Sequence, residues 1–250
     1  MVVEIDLSVF GVEGPRSSRY RRLKRLLESG AVYRDDGVYR VNIYSPLTWR
    51  AIYARKGIDY TVYRAVNVSD GIITGVRVAG ACCPKPYSDL PVYEVYVPVE
   101  KTEVFAAVIG LNNGLSVYPD TNILYRFGFS RPLVIAYPLE GFIESESMDT
   151  PYGFRVREAT LEQALVDMLR GDFWFYEGIV FEIYYYIRQY IDPDKLVSIA
   201  DRMGLRKRVS TLEFILSSFT GDKPLFDIDP ADLIPINMLK ITDILGDVID

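Results

Sequence analysis

RRLKRLLESGAVYRDDGVYRV, residues 21–41, decides how the start of the chain is read. Tyr20, Leu23 and Leu27 recur at helical spacing, and Leu26 widens the stripe. A helix is therefore expected from Ser17 or Ser18, either of which can satisfy free amide donors, to Gly30, which tolerates a left-handed C-cap. Arg16, Arg19, Arg21, Arg22, Lys24 and Arg25 place six cations within ten residues, most of them pointing away from the apolar stripe. Val32 and Tyr33 then lead to Asp36-Gly37, a pair suited to a type I′ turn because both of its central positions need positive φ. The segment from Val38 to Val41 returns as the second strand of a hairpin.

A basic amphipathic helix followed by a short hairpin is the helix-and-wing half of a winged helix-turn-helix. In that arrangement the helix lies in the major groove and the wing touches the backbone. A solvated helix face followed by an ordinary hairpin gives the same pattern, so the alternatives stay open at this point. Ahead of the helix, residues 2–10 read as a strand closed by Gly11, Gly14 and Pro15.

Outward from this segment, residues 42–99 read as mainly β. Ser45 and Pro46 open one short helix, and runs at 61–68, 72–79 and 92–99 are rich in Val, Tyr and Ile. Asp70-Gly71 reads as a hairpin turn between the first two runs. Thr102 opens a helix, and short strands are expected at 122–127 and 133–137. From Thr160 onward the pattern is helical. Thr160 and Gln163 form a capping box, 175–191 reads as one buried central helix, and Asp192-Pro193 starts the next. Tyr184, Tyr185 and Tyr186 read as core and boundary packing within it.

Composition excludes much chemistry. The 250 residues contain no histidine, which removes Ser-His-Asp triads, Cys-His dyads, HExxH zinc helices and imidazole proton relays. The adjacent Cys82 and Cys83 have no third cysteine to join, so spacing gives neither a disulfide framework nor a metal site. They read as small apolar residues in a β-rich stretch of a protein from a reducing compartment. No basic-then-apolar leader opens the chain, and Glu177, Glu182 and Arg188 interrupt its most apolar stretch. A soluble cytoplasmic protein is expected. Arg outnumbers Lys 20 to 8, and Gln occurs only at 163 and 189, a thermophile tendency.

The net charge of −6 conceals an asymmetry. Residues 1–60 carry a net +4 and the remainder a net −10, with seven Asp against two Lys in 222–250. Arg202, Arg206, Lys207 and Arg208 form a second basic cluster at a helix junction. It could receive phosphates or an acidic partner surface, face solvent, or meet the acidic C-terminal segment. Glu144, Glu146 and Asp149 lie in what reads as a solvated loop, and one loop does not supply the converging carboxylates of a Mg²⁺ site. Pro119-Asp120 resembles the opening of a nuclease motif, but no acid-x-Lys strand follows. No phosphate loop is present. No catalytic residue, metal ligand or cofactor is expected.

Four segments in order resemble the AbiEi family of type IV antitoxins. They are residues 21–41, AAVIGLNNGL at 106–115, REATLEQALVDMLRG at 157–171 and IDPDKLVSIADRMGLRKRVSTLEFIL at 191–216. The resemblance implies a winged-helix domain that binds and represses its own promoter. It also implies a C-terminal domain, and a cognate toxin that is a nucleotidyltransferase. Arg19, Arg21, Arg22, Lys24 and Arg25 would then form the DNA-reading helix, and Arg34 and Arg40 the wing cations. The expected fold is α+β. A winged-helix-like, β-rich region over 1–95 is followed by a mixed α/β domain over 96–250 that ends in a helical bundle with an acidic segment. The functional expectation is a non-enzymatic DNA-binding antitoxin and autorepressor. The alternative is a protein-interaction module derived from the same fold that does not bind DNA.

Overall fold

The computed structural model describes residues 7–12, 15–85, 87–236 and 238–249. It is of the α+β class. Of the strand expected at 2–10, residues 2–6 lie outside the described residues, and Leu7–Phe10 is a turn of 3₁₀ helix instead. Helix α1 spans Arg16–Glu28. It starts just after Pro15 with no side-chain cap, so neither serine serves as one. Its end is as expected, with Gly30 at φ 71°. Strands β1 (Val32–Asp35) and β2 (Val38–Val41) pair antiparallel around Asp36 (φ 45°) and Gly37 (φ 81°). Two successive positive φ values are what a type I′ turn requires.

The largest departure from expectation follows. The short helix expected from Ser45-Pro46 is present, but it continues through the run at 61–68, expected as β, to form the long helix α2 (Pro46–Val68). The run at 61–68 is rich in β-formers, yet Thr61, Val62, Ala65 and Val66 are buried together, at the i, i+1, i+4, i+5 spacing of a helix face. Packing of that face overrides local propensity. Asp70 (φ 56°) accordingly follows a helix end rather than forming a hairpin turn. Inside α2, Gly57 has φ 88° and ψ −176°, a conformation essentially reserved for glycine, and it kinks the helix.

The remaining strands form one six-stranded sheet. After β3 (Ile72–Thr74) and the short α3 (Val76–Ala79) come β4 (Val92–Pro98), α4 (Thr102–Ile109), β5 (Val117–Tyr118), α5 (Ile123–Phe127) and β6 (Leu133–Leu139). Next are β7 (Ser145–Asp149), β8 (Arg155–Ala159) and α6 (Leu161–Met168). The sheet order is β5-β6-β4-β3-β8-β7, with β4/β6, β5/β6 and β3/β8 parallel and the other neighbours antiparallel. Residues 123–127, expected as strand, are helical. Residues 145–149, expected as loop, are an edge strand.

The rest of the chain is helical: α7 (Phe173–Tyr176), α8 (Ile179–Ile187), α9 (Pro193–Arg202), α10 (Arg206–Thr220) and α11 (Met238–Ile249). The single helix expected over 175–191 is divided at Gly178 (φ 81°). A Cβ there would lie 2.5 Å from Ile244 Cδ1, so the glycine also gives α11 room to dock.

Strand alternation sorts the core into two layers. Val92 and Tyr96 of β4, with Leu133, Ile135 and Tyr137 of β6, join Trp174, Phe181, Leu196 and Leu212 on the bundle side. Tyr93, Val95, Val97 and Val134 face Val62, Val66, Phe105 and Ile109 of α2 and α4. Residue 95, the expected domain boundary, sits in the middle of β4. The change in packing comes instead at Gly57. Thr48 and Tyr53, before it, are buried outside both layers, whereas Val62, Ala65 and Val66, after it, belong to the second.

Candidate nucleic-acid interface

Three hydrogen bonds assemble α1, the hairpin and the first half of α2 into one unit. All involve Asn42. Its Nδ2 donates to the Gly30 carbonyl (2.8 Å) and its amide to the Ala31 carbonyl (2.9 Å). Its own carbonyl accepts from Thr48 Oγ1 (2.7 Å). Trp49 Nε1 adds a bond to the Ile43 carbonyl (2.8 Å). The hairpin is thereby fixed directly behind α1, and the direction of the basic helix is set by the backbone around it.

The apolar stripe of α1 is rotated from its expected position. Leu23 and Leu26 are half-buried, whereas Tyr20 is 69% exposed and Leu27 also faces solvent. The reason lies in the neighbours. The turn at residues 7–11 covers one flank of the helix, where the Arg22 guanidinium donates to the Gly11 carbonyl. Of the expected DNA-reading cations, Arg19, Arg21, Lys24 and Arg25 are exposed on α1. Lys24 makes a loose i,i+4 pair with Glu28 at 3.9 Å. Among the described residues, Arg19, Arg21 and Arg25 have no carboxylate partner.

The two wing cations diverge. Arg34 pairs in register with Tyr39, and Arg40 with Tyr33, so they project from opposite faces of the hairpin. Arg34 lies 5.7 Å from the centroid of the Tyr39 ring and has no carboxylate partner among the described residues. Arg40 pairs with Asp35 at 3.0 Å, and that carboxylate reduces its net positive field.

Sequence reasoning missed several residues of this unit. Arg50 and Arg55 project from α2, and Arg55 donates to the Ser8 carbonyl beside α1. Tyr44, 89% exposed, and Trp49 stand beside the hairpin. The available signal was the pairing of cations with aromatics in YSPLTWRAIYAR at 44–55.

The second basic cluster is largely occupied internally. Arg208 donates to the carbonyls of Leu169 (2.7 Å) and Gly171 (2.8 Å) and pairs with Asp172 at 2.6 Å. Arg206 pairs loosely with Asp201 and lies 5.1 Å from the Phe226 ring centroid. Lys207 reaches the Ala231 carbonyl (3.5 Å). Two of the four thus hold the C-terminal segment. Arg202 is exposed.

Other candidate groups are built into the fold. Glu144 pairs with Lys195 at 2.7 Å and Asp149 with Arg155 at 2.7 Å. Asp120 accepts from the Asn122 amide in a turn. Among the described residues, no three potential metal-ligating side chains come together. Cys82 and Cys83 end a 3₁₀ turn rather than lying in a strand. Burial, with Glu182 and Cys82 adding to it, pushes the Cys83 thiol up to about 12, so it is a poor nucleophile near neutral pH. Tyr184 is buried, and Tyr185 and Tyr186 sit at the boundary.

The two most perturbed carboxyls lie in the body of the fold, beneath the bundle. Glu94 is fully buried, and burial raises its carboxyl to about 7. It accepts from Tyr137 Oη (2.9 Å), Trp174 Nε1 (3.0 Å) and the Val76 amide (3.2 Å). Gly75 makes room for it: a Cβ there would stand 2.3 Å from Glu94 Oε1. Asp167, also sealed from solvent, is raised to about 6 by burial. It accepts from Thr74 Oγ1 (2.5 Å), Gln163 Nε2 (3.1 Å) and the Tyr96 hydroxyl. Perturbed carboxylates often mark active sites. These two have no solvent-accessible surface to offer a substrate, so their place here is in the core.

No protein-family model matches the chain, and none of the curated proteins compared with it matches. Among the described residues, no helix is long and apolar enough to cross a membrane.

Proposed function

We propose that the chain is a cytoplasmic DNA-binding regulator of the antitoxin type. In this reading α1 enters the major groove of the promoter of its own operon, and the β1–β2 hairpin touches the flanking backbone. The body of the fold engages a partner, a nucleotidyltransferase toxin in the reading that the AbiEi resemblance implies. The protein acts by binding, with no cofactor and no catalytic residue. One observation carries the proposal. Arg19, Arg21 and Arg25 stand exposed on one helix, with no carboxylate partner among the described residues, immediately ahead of a hairpin bonded to its end. Cations so placed are free to neutralise phosphates and to pair with guanine edges. Within the set, Arg19, Arg21, Lys24 and Arg25 are the reading residues. Arg22, engaged by the Gly11 carbonyl, holds the helix flank. Arg34 is the stronger wing contact, because Asp35 screens Arg40.

Titration of labelled upstream DNA by fluorescence anisotropy tests this. Affinity should fall steeply as salt rises, and joint reversal of Arg19, Arg21 and Arg25 to Glu should remove it. Salt-insensitive binding, or binding indifferent to the reversal, removes the DNA reading. A second reading, a protein-docking module, draws on the exposed Tyr20, Tyr33, Val38 and Tyr44 of the same unit. It predicts stoichiometric capture of a partner protein that survives the triple reversal but fails when these four are replaced by Ser.

A further inference from the structure

We propose that the cleft between the 3₁₀ turn Leu7–Phe10, α1 and the first half of α2 is a binding site for a small organic anion with an apolar body. The cleft holds about 670 Å³, within the ordinary size range of small-molecule sites. Its floor is apolar, with Phe10, Leu26 and Ala54 among the residues that line it. Its polar side chains, apart from the Ser8 hydroxyl, are three guanidinium groups: Arg22, Arg25 and Arg55. No carboxylate lines it among the described residues.

Three like charges around one apolar cleft repel each other, and a bound anion relieves that repulsion. Two of the three are held in place. Arg22 donates to the Gly11 carbonyl and Arg55 to the Ser8 carbonyl, each using one of the five N–H donors of its guanidinium. Those bonds fix the planar groups and leave further donors for a carboxylate, sulfonate or phosphate head group. Arg25 has no protein partner among the described residues.

The lining selects between ligand classes. A neutral apolar molecule would cover the floor and leave the guanidiniums uncompensated. A bare inorganic anion would satisfy the guanidiniums and leave the floor wet. An anion carrying an alkyl or aryl body does both. Arg25 is shared with the proposed DNA-reading set, whereas Arg55 and the apolar lining are not, so the site is testable apart from the DNA reading.

8-Anilinonaphthalene-1-sulfonate, an aryl anion whose fluorescence rises on binding, is the probe, used with the full chain. One saturable site is expected, displaced by decanoate but not by decanol or by inorganic phosphate. Arg55→Gln should weaken binding about tenfold, the loss of one charge-assisted hydrogen bond. Ala54→Trp changes no charge and starts from an exposed helix position, so it should block the cleft while the thermal melt, followed by circular dichroism, stays unchanged. Non-saturable fluorescence, equal displacement by decanol, or binding that neither substitution alters would overturn the site. Arg55 lies outside the proposed DNA-reading set, so loss of DNA binding and loss of probe binding are separately observable.

Discussion

The same residue type is used in opposite ways on the two sides of Gly57. In the body, several guanidiniums are locked. Arg188 pairs with the buried Glu213 at 2.8 Å, Arg208 joins two carbonyls and Asp172, and Arg170 donates to Tyr96 Oη (3.1 Å) over the Tyr137 ring. In the N-terminal unit, Arg19, Arg21, Arg25 and Arg34 face solvent with no carboxylate partner among the described residues. The body uses arginine to satisfy buried acids and carbonyls, which serves the fold. The N-terminal unit pairs Arg40 with Asp35 but gives these four arginines no carboxylate among the described residues, an arrangement that adds little to stability and leaves their field open to an anionic partner. Net charge alone conceals this, because the acidic body outweighs the basic unit.

The contrast can be broken from the body side first. Glu213 also accepts from the Tyr184 hydroxyl and the Leu225 amide (2.8 Å), so it ties α8, α10 and the C-terminal segment together. Glu213→Ala should cost about 3–5 kcal/mol in denaturant unfolding, because the Tyr184 hydroxyl and the Leu225 amide lose their acceptor and the largely buried Arg188 keeps only the looser Asp222 carboxylate (3.5 Å) and the Lys223 carbonyl (2.7 Å). Charge removal at Arg19 should leave the melt nearly unchanged.

A pH series sharpens the contrast further. Glu94 and Asp167 are raised to about 7 and about 6 by burial, so the folded state binds more protons than the unfolded chain between about pH 4 and 7. Stability contributed by these groups is therefore full at acid pH and falls as pH rises through that window. The change from Glu94 alone should be on the order of 3 kcal/mol. Glu94→Gln should flatten the profile, as read from urea midpoints at several pH values.

The kink comes next. Gly57→Ala forces a side chain into φ 88°, although the space around it is open, and should cost about 1–3 kcal/mol through the backbone alone. The smallest effect belongs to the wing. Arg40→Ala breaks an exposed pair and should alter stability by less than about 1 kcal/mol.

Most local signals stand and the long-range ones do not, although the Ser17 or Ser18 cap and the Asp70-Gly71 hairpin turn are local signals that the structure does not use. Gly30, the Asp36-Gly37 turn, the Thr160 cap and the Asp192-Pro193 start are set by the chain's own backbone within a few residues, and each stands where the sequence places it. Residues 61–68 failed because their helical face is decided by β4 and α4, which lie far along the chain. The stretch at 175–191 failed because docking of α11 at Gly178 leaves only a lone glycine as its trace. In the candidate site, the helix and its cations were legible. The inward turn of Arg22, the Arg40–Asp35 pair and the cleft with Arg55 were not, because each depends on where the chain ahead of Pro15 or across the hairpin comes to rest. The buried acids were missed as well: Glu94 and Asp167 sit singly among apolar neighbours in sequence, with nothing local to mark the network.

The proposed DNA contact rests on Arg19, Arg21 and Arg25 of α1. The most direct measurement is the affinity for upstream DNA across a salt series, with Arg19, Arg21 and Arg25 replaced one at a time by Gln. Each replacement should lower the magnitude of the log–log salt slope by about 1, and a base-reading arginine should also lose about 1–3 kcal/mol on its own sequence. Slopes and affinities unchanged by all three replacements would contradict the account.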